Sequence, residues 1–522
     1  MTKLYLIGYF LVISLIACDD ILQVTPETQV TFETAFETEK EIETGLLSVE
    51  RYVRLSLPNT LQPGINGEYS DYHASANPAL LNFNQIGVYL VHRKWHFDAI
   101  AMANVPLPYI DKVPMTQERR NFYKGQIYFT KALIYFDLGR RYKFTPIVRD
   151  EVEIAPIVYS SWEDVIDYAI EQAREAVALL PEYPDLRDSD GNVITRKSVP
   201  TRGAANALLA HLCAWKAGCK YMASSDKANY NEMDLWKTVD SACTAIIQQE
   251  DVYRLANTPE EVCTSVLVGD SPESIYEIQI HGYGNEMDGE DLASTFYCTG
   301  LYYQTWPVVS SESAGNIQYK DFRILAESVR DMYPTRVEHG EIITDLRRDA
   351  YFYELDSMQY KVDESITGGY AYPWKYRVGR LGTSGWDTGR FVNFDQNKIW
   401  FRLADIILLR AEARVRLGNT LGAIEDLNAI RSRANAKLYD ASEYNGDLRY
   451  AIFKEREKEL LMENWRWYDV LRNGYYKTEL YGGFREVSEQ DIIDGCFLLG
   501  TSDVEFANNP LARQNTFWLK HQ

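Results

Sequence analysis

Near the C-terminus, two helical runs are joined by only Gly418 and Asn419, and this pair constrains the fold more than any other feature of the 522-residue chain. Apolar residues recur at helical spacing through residues 404–417 and again through residues 421–433. Neither helix of such a pair can bury its apolar face alone, so pairs of this kind stack on neighbours. The same period recurs upstream. Ile166, Ile170, Ala173, Val177 and Leu180 share one face of a helix predicted over 162–180. Ser160 with Glu163 reads as its capping box, and Pro181 stops it. Asp188, Ser189, Asp190, Gly191 and Asn192 read as a tight turn. The turn resembles a calcium loop only superficially, because Leu186 and Lys197 stand where that loop needs carboxylates. Thr201 caps the next helix, whose Ala204, Ala205, Leu208, Leu209 and Leu212 permit close helix–helix approach. A further helix is expected over 236–247, and residues 274–280 alternate like a short strand. The fold class is therefore mainly α.

The N-terminus belongs to a different regime. Residues 4–17 carry no charge, follow Lys3, and fall short of the roughly 20 residues of a membrane span. This is the pattern of an export signal. Leu15-Ile16-Ala17-Cys18 reads as a lipobox, which makes Cys18 the lipidated first residue of the mature chain. The plainer alternative is an ordinary secretory signal beside a chance cysteine. The expected organisation is a lipoprotein signal peptide (1–17), a polar lipidated tether (18–30) and a single body (31–522). In that body the helical scaffold lies mainly in 31–60, 118–280 and 398–472. A loop-rich region, mainly 61–117 and 282–397, is rich in Gly, Tyr, Trp, Ser and Asp and poor in helical period. Long loops on a helical scaffold tend to carry function. Cys213, Cys219, Cys243, Cys263, Cys298 and Cys496 lack the Cys-x-x-Cys spacing of a zinc cluster, and several lie among apolar helical residues as small buried hydrophobes. A disulfide remains open, with no pairing legible.

A net charge of −21 argues against nucleic acid and against direct binding to anionic headgroups. The 37 Tyr and 11 Trp are the unusual numbers, because flat apolar faces with a polar tip are what sugar rings stack on. Most of these rings are expected in the core. The ligand-binding candidates are those outside the best helical patterns: Tyr69 and Tyr72 with nearby Trp95, then Tyr297, Tyr302, Tyr303 and Trp306, then Trp386. Asn66, Asp71, Gln304 and Asp387 stand near them as hydrogen-bonding partners. Against this, Trp95 sits in a helical stretch over 94–103, and Trp374 in a run to Arg377 that alternates like a strand.

Catalytic signatures are missing from the sequence: no His-Glu-x-x-His, no phosphate loop and no Gly-x-Ser-x-Gly elbow. No catalytic residue, metal ligand or cofactor is assigned. His92 and His96 stand at i, i+4, where an exposed helix face is the simpler reading than a metal site. Glu455, Arg456, Glu459, Glu463, Arg466, Asp469 and Arg472 crowd one expected helix. An ion-pair network that locks it onto its neighbours accounts for them better than an acid–base pair. A glycan-degrading carboxylate pair stays open in a chain with 75 acidic residues, as does a pure protein-interaction scaffold.

A resemblance now joins these pieces. The run Leu409 to Ala413, then Leu417-Gly418-Asn419 and Ala423-Ile424, resembles a divergent tetratricopeptide repeat. Over nearly its whole length the chain resembles the SusD/RagB family of nutrient-binding lipoproteins of Bacteroidetes. The likeness includes Lys124-Gly125-Gln126 with Lys131-Ala132-Leu133, Pro200-Thr201-Arg202-Gly203, Arg402-Leu403-Ala404-Asp405, Leu427-Asn428 with Arg431-Ser432-Arg433, Glu455-Arg456-Glu457-Lys458-Glu459 with Arg466-Trp467-Tyr468-Asp469, and Asn509-Pro510 with Gln514-Asn515. The tail is looser than the family's usual Pro-rich ending. The resemblance implies a tetratricopeptide-like helical-pair scaffold with an irregular loop-rich ligand-binding region. It implies a non-enzymatic, surface-exposed protein held at the outer membrane by lipid. It also implies an oligosaccharide or glycan ligand, or in some members peptide, and a SusC-like TonB-dependent transporter as partner.

Overall fold

The computed structural model describes residues 35–57, 73–75, 93–150, 155–281, 322–356, 371, 373–381, 388, 391–480 and 482–520. Its long helices are α1 (Glu39–Ser56), α2 (Lys94–Asn104), α3 (Gln117–Arg141), α4 (Trp162–Leu179), α5 (Arg202–Gly218), α6 (Glu232–Ile247), α7 (Leu403–Arg416), α8 (Thr420–Arg433), α9 (Leu448–Glu459) and α10 (Arg466–Asn473). From α1 to α8 each helix packs on the next, so α3/α4, α5/α6 and α7/α8 form three stacked pairs. The two upstream pairs are degenerate in sequence, yet they stack as the C-terminal pair does.

Local chemistry sets the ends. Thr201 Oγ1 accepts from the Ala204 N–H at 3.0 Å and starts α5. Ser161, not Ser160, caps α4 through the Asp164 N–H. The reason for the one-residue shift is tertiary: Ser160 is taken into a short ladder between β2 (Phe144–Pro146) and β3 (Tyr159–Ser161), opposite Thr145. Asp188 turns the chain by accepting from the backbone N–H groups of Asp190 and Asn192. Gly418, at φ +81°, makes the turn between α7 and α8.

The stack is tight because small residues line it. Ala204, Ala205, Ala207, Ala210 and Ala214 of α5 are all buried. On α3, a Cβ at Gly139 would stand 2.8 Å from Ile166 Cδ1, so the α3/α4 approach requires glycine there. The resulting large core takes in Trp162, Trp215, Trp236 and Trp467. Cys213, Cys219, Cys243, Cys263 and Cys496 are buried free thiols, each pushed above the usual range by burial.

A second, smaller core lies beside the first. Val262, Val266, Val329, Tyr333, Tyr351, Phe352, Tyr376, Leu461 and Met462 belong to it. Its elements are short: helices Ala326–Met332 and Arg347–Tyr351, and a hairpin of β6 (Thr335–Glu338) and β7 (Glu341–Thr344). The seam between the cores is an antiparallel ribbon of β4 (Ser274–Ile278) and β10 (Lys398–Arg402). Both strands are buried at every position. The alternation read for residues 274–280 therefore does not separate a wet face from a dry one: Tyr276 and Phe401 join the large core and Ile399 the small one.

Two sequence readings are corrected. Residues 455–472 do not form one helix: α9 ends at Glu459 and α10 starts at Arg466. Between them Met462 and Asn464 adopt left-handed backbone, at φ 65° and 71°. Residues 374–377 are not a strand, since Lys375 is drawn fully into the protein between its neighbours.

Candidate functional site

The loop-rich region is framed by short antiparallel ladders. β1 (His73–Ser75) pairs with β5 (Phe322–Ile324), His73 opposite Ile324. This ladder joins two stretches almost 250 residues apart: Tyr72 precedes β1 directly, and the segment with Tyr297 to Trp306 leads into β5. β8 (Gly379–Leu381) pairs with β9 (Phe391–Phe394), and Trp386 falls in the connection between them. Tyr69, Tyr72, Tyr297, Tyr302, Tyr303, Trp306 and Trp386 themselves lie outside the described residues, as do Cys18, Asn66, Asp71, Gln304, Asp387, His92 and Cys298.

Trp95 is described. It sits in the first turn of α2, half-buried, with its ring centroid 6.3 Å from that of Tyr52 on α1 and the Lys94 ammonium 4.5 Å from it. It packs against the scaffold with one edge and keeps part of its surface open. Sequence reading singled out Trp374 but missed Tyr353, with which it forms a comparable shelf. Their centroids are 4.8 Å apart, both rings are half-buried, and the Arg377 guanidinium lies 5.3 Å from the Trp374 ring. Tyr353 has no helical or strand period around it, so only its pairing with Trp374 marks it. His96 is not on an exposed face. It is buried, with Nε2 3.0 Å from Asp137 Oδ2, and burial holds its imidazole below the usual range. Among the described residues no group of three His, Cys, Asp or Glu is placed to hold a metal.

A buried charge network starts at Lys375, the residue after Trp374. Arg402 ends β10 and directs all five donors into it: Nε and Nη2 to Glu463, Nη1 to Glu273 and Glu459, and Nη2 to the Glu459 carbonyl, at 2.7–2.9 Å. Lys375 donates to the Glu459 and Leu461 carbonyls at 2.9 Å each and to Glu463 Oε1 at 2.6 Å. Arg347 holds Asp345 bidentately and reaches Glu455 at 2.6 Å. The left-handed turn between α9 and α10 is thus the anchor point of the second layer. Its freed carbonyls accept from cations that arrive from residues 375 and 402.

The model of the SusD family matches residues 321–491. A SusD-like protein of Formosa agariphila is 24% identical over 507 residues, 91% of this chain and 92% of its own length. Among solved structures, a SusD homolog from Bacteroides thetaiotaomicron superposes with a TM-score of 0.72 at 21% identity, over 93% of this chain and 99% of its own. A SusD-like carbohydrate binding protein from Bacteroides vulgatus does so with a TM-score of 0.57 at 18% identity, over 84% of each. The chain is thus similar to SusD-like proteins over most of its length and shares their fold. The family match covers the part of the second layer from Ala326 onward and helices α7 to α10 that anchor it. In this SusD-like protein the acids of that anchor are tied up. Burial pushes the Glu455 carboxyl up, but Arg347 and Arg431 outweigh it and hold it at about 2. Burial is likewise outweighed at Glu412, where Arg472 and Arg416 hold the carboxyl at about 2. Carboxylates so held are poor proton donors at neutral pH. The network is structural, as the spacing of residues 455–472 suggested, although it spans two helices and recruits Arg347, Lys375 and Arg402 from outside them. No helix among the described residues is long and apolar enough to cross a membrane.

Proposed function

We propose that this SusD-like protein captures a glycan or oligosaccharide and delivers it to a partner SusC-like TonB-dependent transporter in the outer membrane, without catalysis. The observation that carries the reading is the β1–β5 ladder, which ties the stretch ending in Tyr69 and Tyr72 to the stretch leading from Tyr297 to Trp306. Two aromatic-bearing segments, distant in sequence, are thereby tied to one another. The carbohydrate-binding description of the Bacteroides vulgatus neighbour adds support.

In this reading Tyr69, Tyr72, Trp95, Tyr297, Tyr302, Tyr303, Trp306 and Trp386 offer stacking faces, and nearby amide and carboxylate side chains bind hydroxyls. Lipid on Cys18 holds the body at the cell surface, behind a polar tether, and the body closes over the transporter as a lid. Open stacking sites bind with modest affinity, so closure rather than tightness retains the ligand. Calorimetric titration of the chain carrying Cys18→Ala with panels of glycans and peptides tests this. Binding to one glycan class without turnover is the expected result. Binding to peptides alone, or the appearance of shortened sugars, would refute it.

A further inference from the structure

Two buried guanidiniums at the end of α3 share one carboxylate. Asp137 Oδ2 accepts from Arg141 Nη1 at 3.0 Å, and Oδ1 accepts from Arg140 Nη2 at 3.3 Å. All three side chains are buried. His96, the third partner of Asp137, is held neutral by burial. Among the described residues no other carboxylate pairs with Arg140 or Arg141. The group therefore carries one positive charge in excess, and such a charge is costly away from water unless a counter-charge meets it.

Arg140 borders a cavity of about 10 Å³, lined also by Lys398, Trp400, Glu463, Asn464 and Trp465. Its guanidinium lies 3.9 Å from the centroid of the Tyr468 ring and 4.4 Å from that of Phe136, with Trp400 and Trp465 at 5.6 Å. Ring faces attract the cation but leave its in-plane N–H groups without an acceptor. Nε and Nη1 of Arg140 have no hydrogen-bond partner, and neither has the indole N–H of Trp400 in the same lining. Buried donors in this condition call for a partner. The lining does not supply the missing charge. Glu463 is its one carboxylate among the described residues, and both oxygens are already held, Oε1 by Lys375 and Arg402 and Oε2 by Arg402. Lys398, which reaches the Glu463 carbonyl, adds a further cation. The Asn464 amide has an oxygen and a nitrogen to offer, so it suits a donor or an acceptor.

We propose that this cavity holds one halide ion, chloride in ordinary buffers, bound by the free N–H groups of Arg140 and by the Trp400 indole N–H. A water would satisfy these donors but leave the excess charge; a halide answers both. The volume takes one atom-sized centre and excludes a carboxylate or a phosphate. The long side chains of Arg140 and Lys398 can yield the small extra width that a halide needs over a water. Arg140 belongs to α3, Trp400 to β10 and Trp465 to the turn before α10. The ion thus joins the helical stack to the seam and to the charge anchor.

Crystals of the protein grown in sodium bromide, measured at the bromine absorption edge, test it directly. An anomalous peak between Arg140 and Trp400 is expected, and a cavity that holds water only, or nothing, would overturn the proposal. In solution, melting temperatures are compared in sodium chloride and in sodium gluconate, whose anion is too large to enter, at equal ionic strength. Stabilisation by chloride over gluconate, growing with the logarithm of chloride concentration, is expected. Arg140→Met leaves Asp137 matched to Arg141 and should abolish that difference. Trp400→Phe should move its onset to about fivefold higher chloride. Should Arg140→Met fail to fold, Trp400→Phe and the bromide map decide. Equal melting temperatures of the parent in the two salts, or the same chloride dependence in the parent and both variants, would also overturn it.

Discussion

The helical stack and the second layer are held by different forces. In the stack, helices meet mainly through alanines, glycines and large buried rings, with single buried polar pairs such as His96–Asp137 and His211–Asp405 set among them. The second layer has a smaller core and short elements. It docks through Lys375, Arg402 and Arg347 onto acids and bare carbonyls of α9 and the turn that follows. A stack of this kind tolerates sequence drift if volume is kept. A charge anchor does not, because removing one member leaves the others buried and unpaired. The irregular region that carries the proposed glycan contacts can therefore vary in its loops while its mounting stays fixed.

The largest effect should come from Arg402→Met. It removes the cation that Glu459, Glu463 and Glu273 share, leaving them only Arg433, Arg347 and Lys375, and a loss of about 3–5 kcal/mol is expected. Hydrogen exchange should accelerate most in 326–356 and 373–381. An increase spread evenly over α3 to α6 would break the distinction between the regions.

Next comes a pH effect confined to the seam. Burial pushes the Glu277 carboxyl up to about 7, against hydrogen bonds from Asn397 and the Asp270 N–H. A carboxyl raised on folding stabilises fully below its unfolded value near 4.5, and that contribution disappears as pH rises through about 7. Glu455, Glu412 and Glu457 act in the opposite sense: their stabilisation is present above 4.5 and is lost toward about 2. The stability difference between Glu277→Gln and the parent should therefore change between pH 4.5 and 7 and stay flat above, as read by urea melts. A constant difference would show that Glu277 is not protonated in the fold.

Within the stack, Gly218→Ala should cost about 1–3 kcal/mol, because the new Cβ would meet the Arg472 carbonyl oxygen at 2.4 Å. Denaturant midpoints check this, and an unchanged midpoint would mean that α5 and α10 can move apart freely. Thr201→Ala, which removes only the cap of α5, should cost about 1 kcal/mol. A larger loss would place tertiary weight on the hydroxyl, which lies 3.2 Å from Tyr253 Oη.

Legibility in the sequence followed the same divide. The α7/α8 pair, the Thr201 cap and the helices over 162–179 and 232–247 rest on local period and capping, and they were readable to within a few residues. The break between α9 and α10 was not. No glycine or proline marks it, and Met462 and Asn464 turn left-handed only because distant cations satisfy the carbonyls that the helix releases. Lys375 looked like part of an alternating strand for the same reason: its partners lie more than 80 residues away. His96 looked exposed because Asp137, which buries it, sits on another helix. Of the aromatic candidates only Trp95 is placed, and it both packs and remains partly open.

The most direct measurement of the central claim is a calorimetric titration of Trp306→Ala, beside the parent, with whichever glycan the parent binds, each at a matched melting temperature. The account predicts lost or strongly weakened binding with an unchanged melting temperature, since ligand contact is assigned to the loop-rich region and stability to the stack and its charge anchor. Full binding by Trp306→Ala, repeated for Tyr303→Ala and Trp386→Ala, would contradict it.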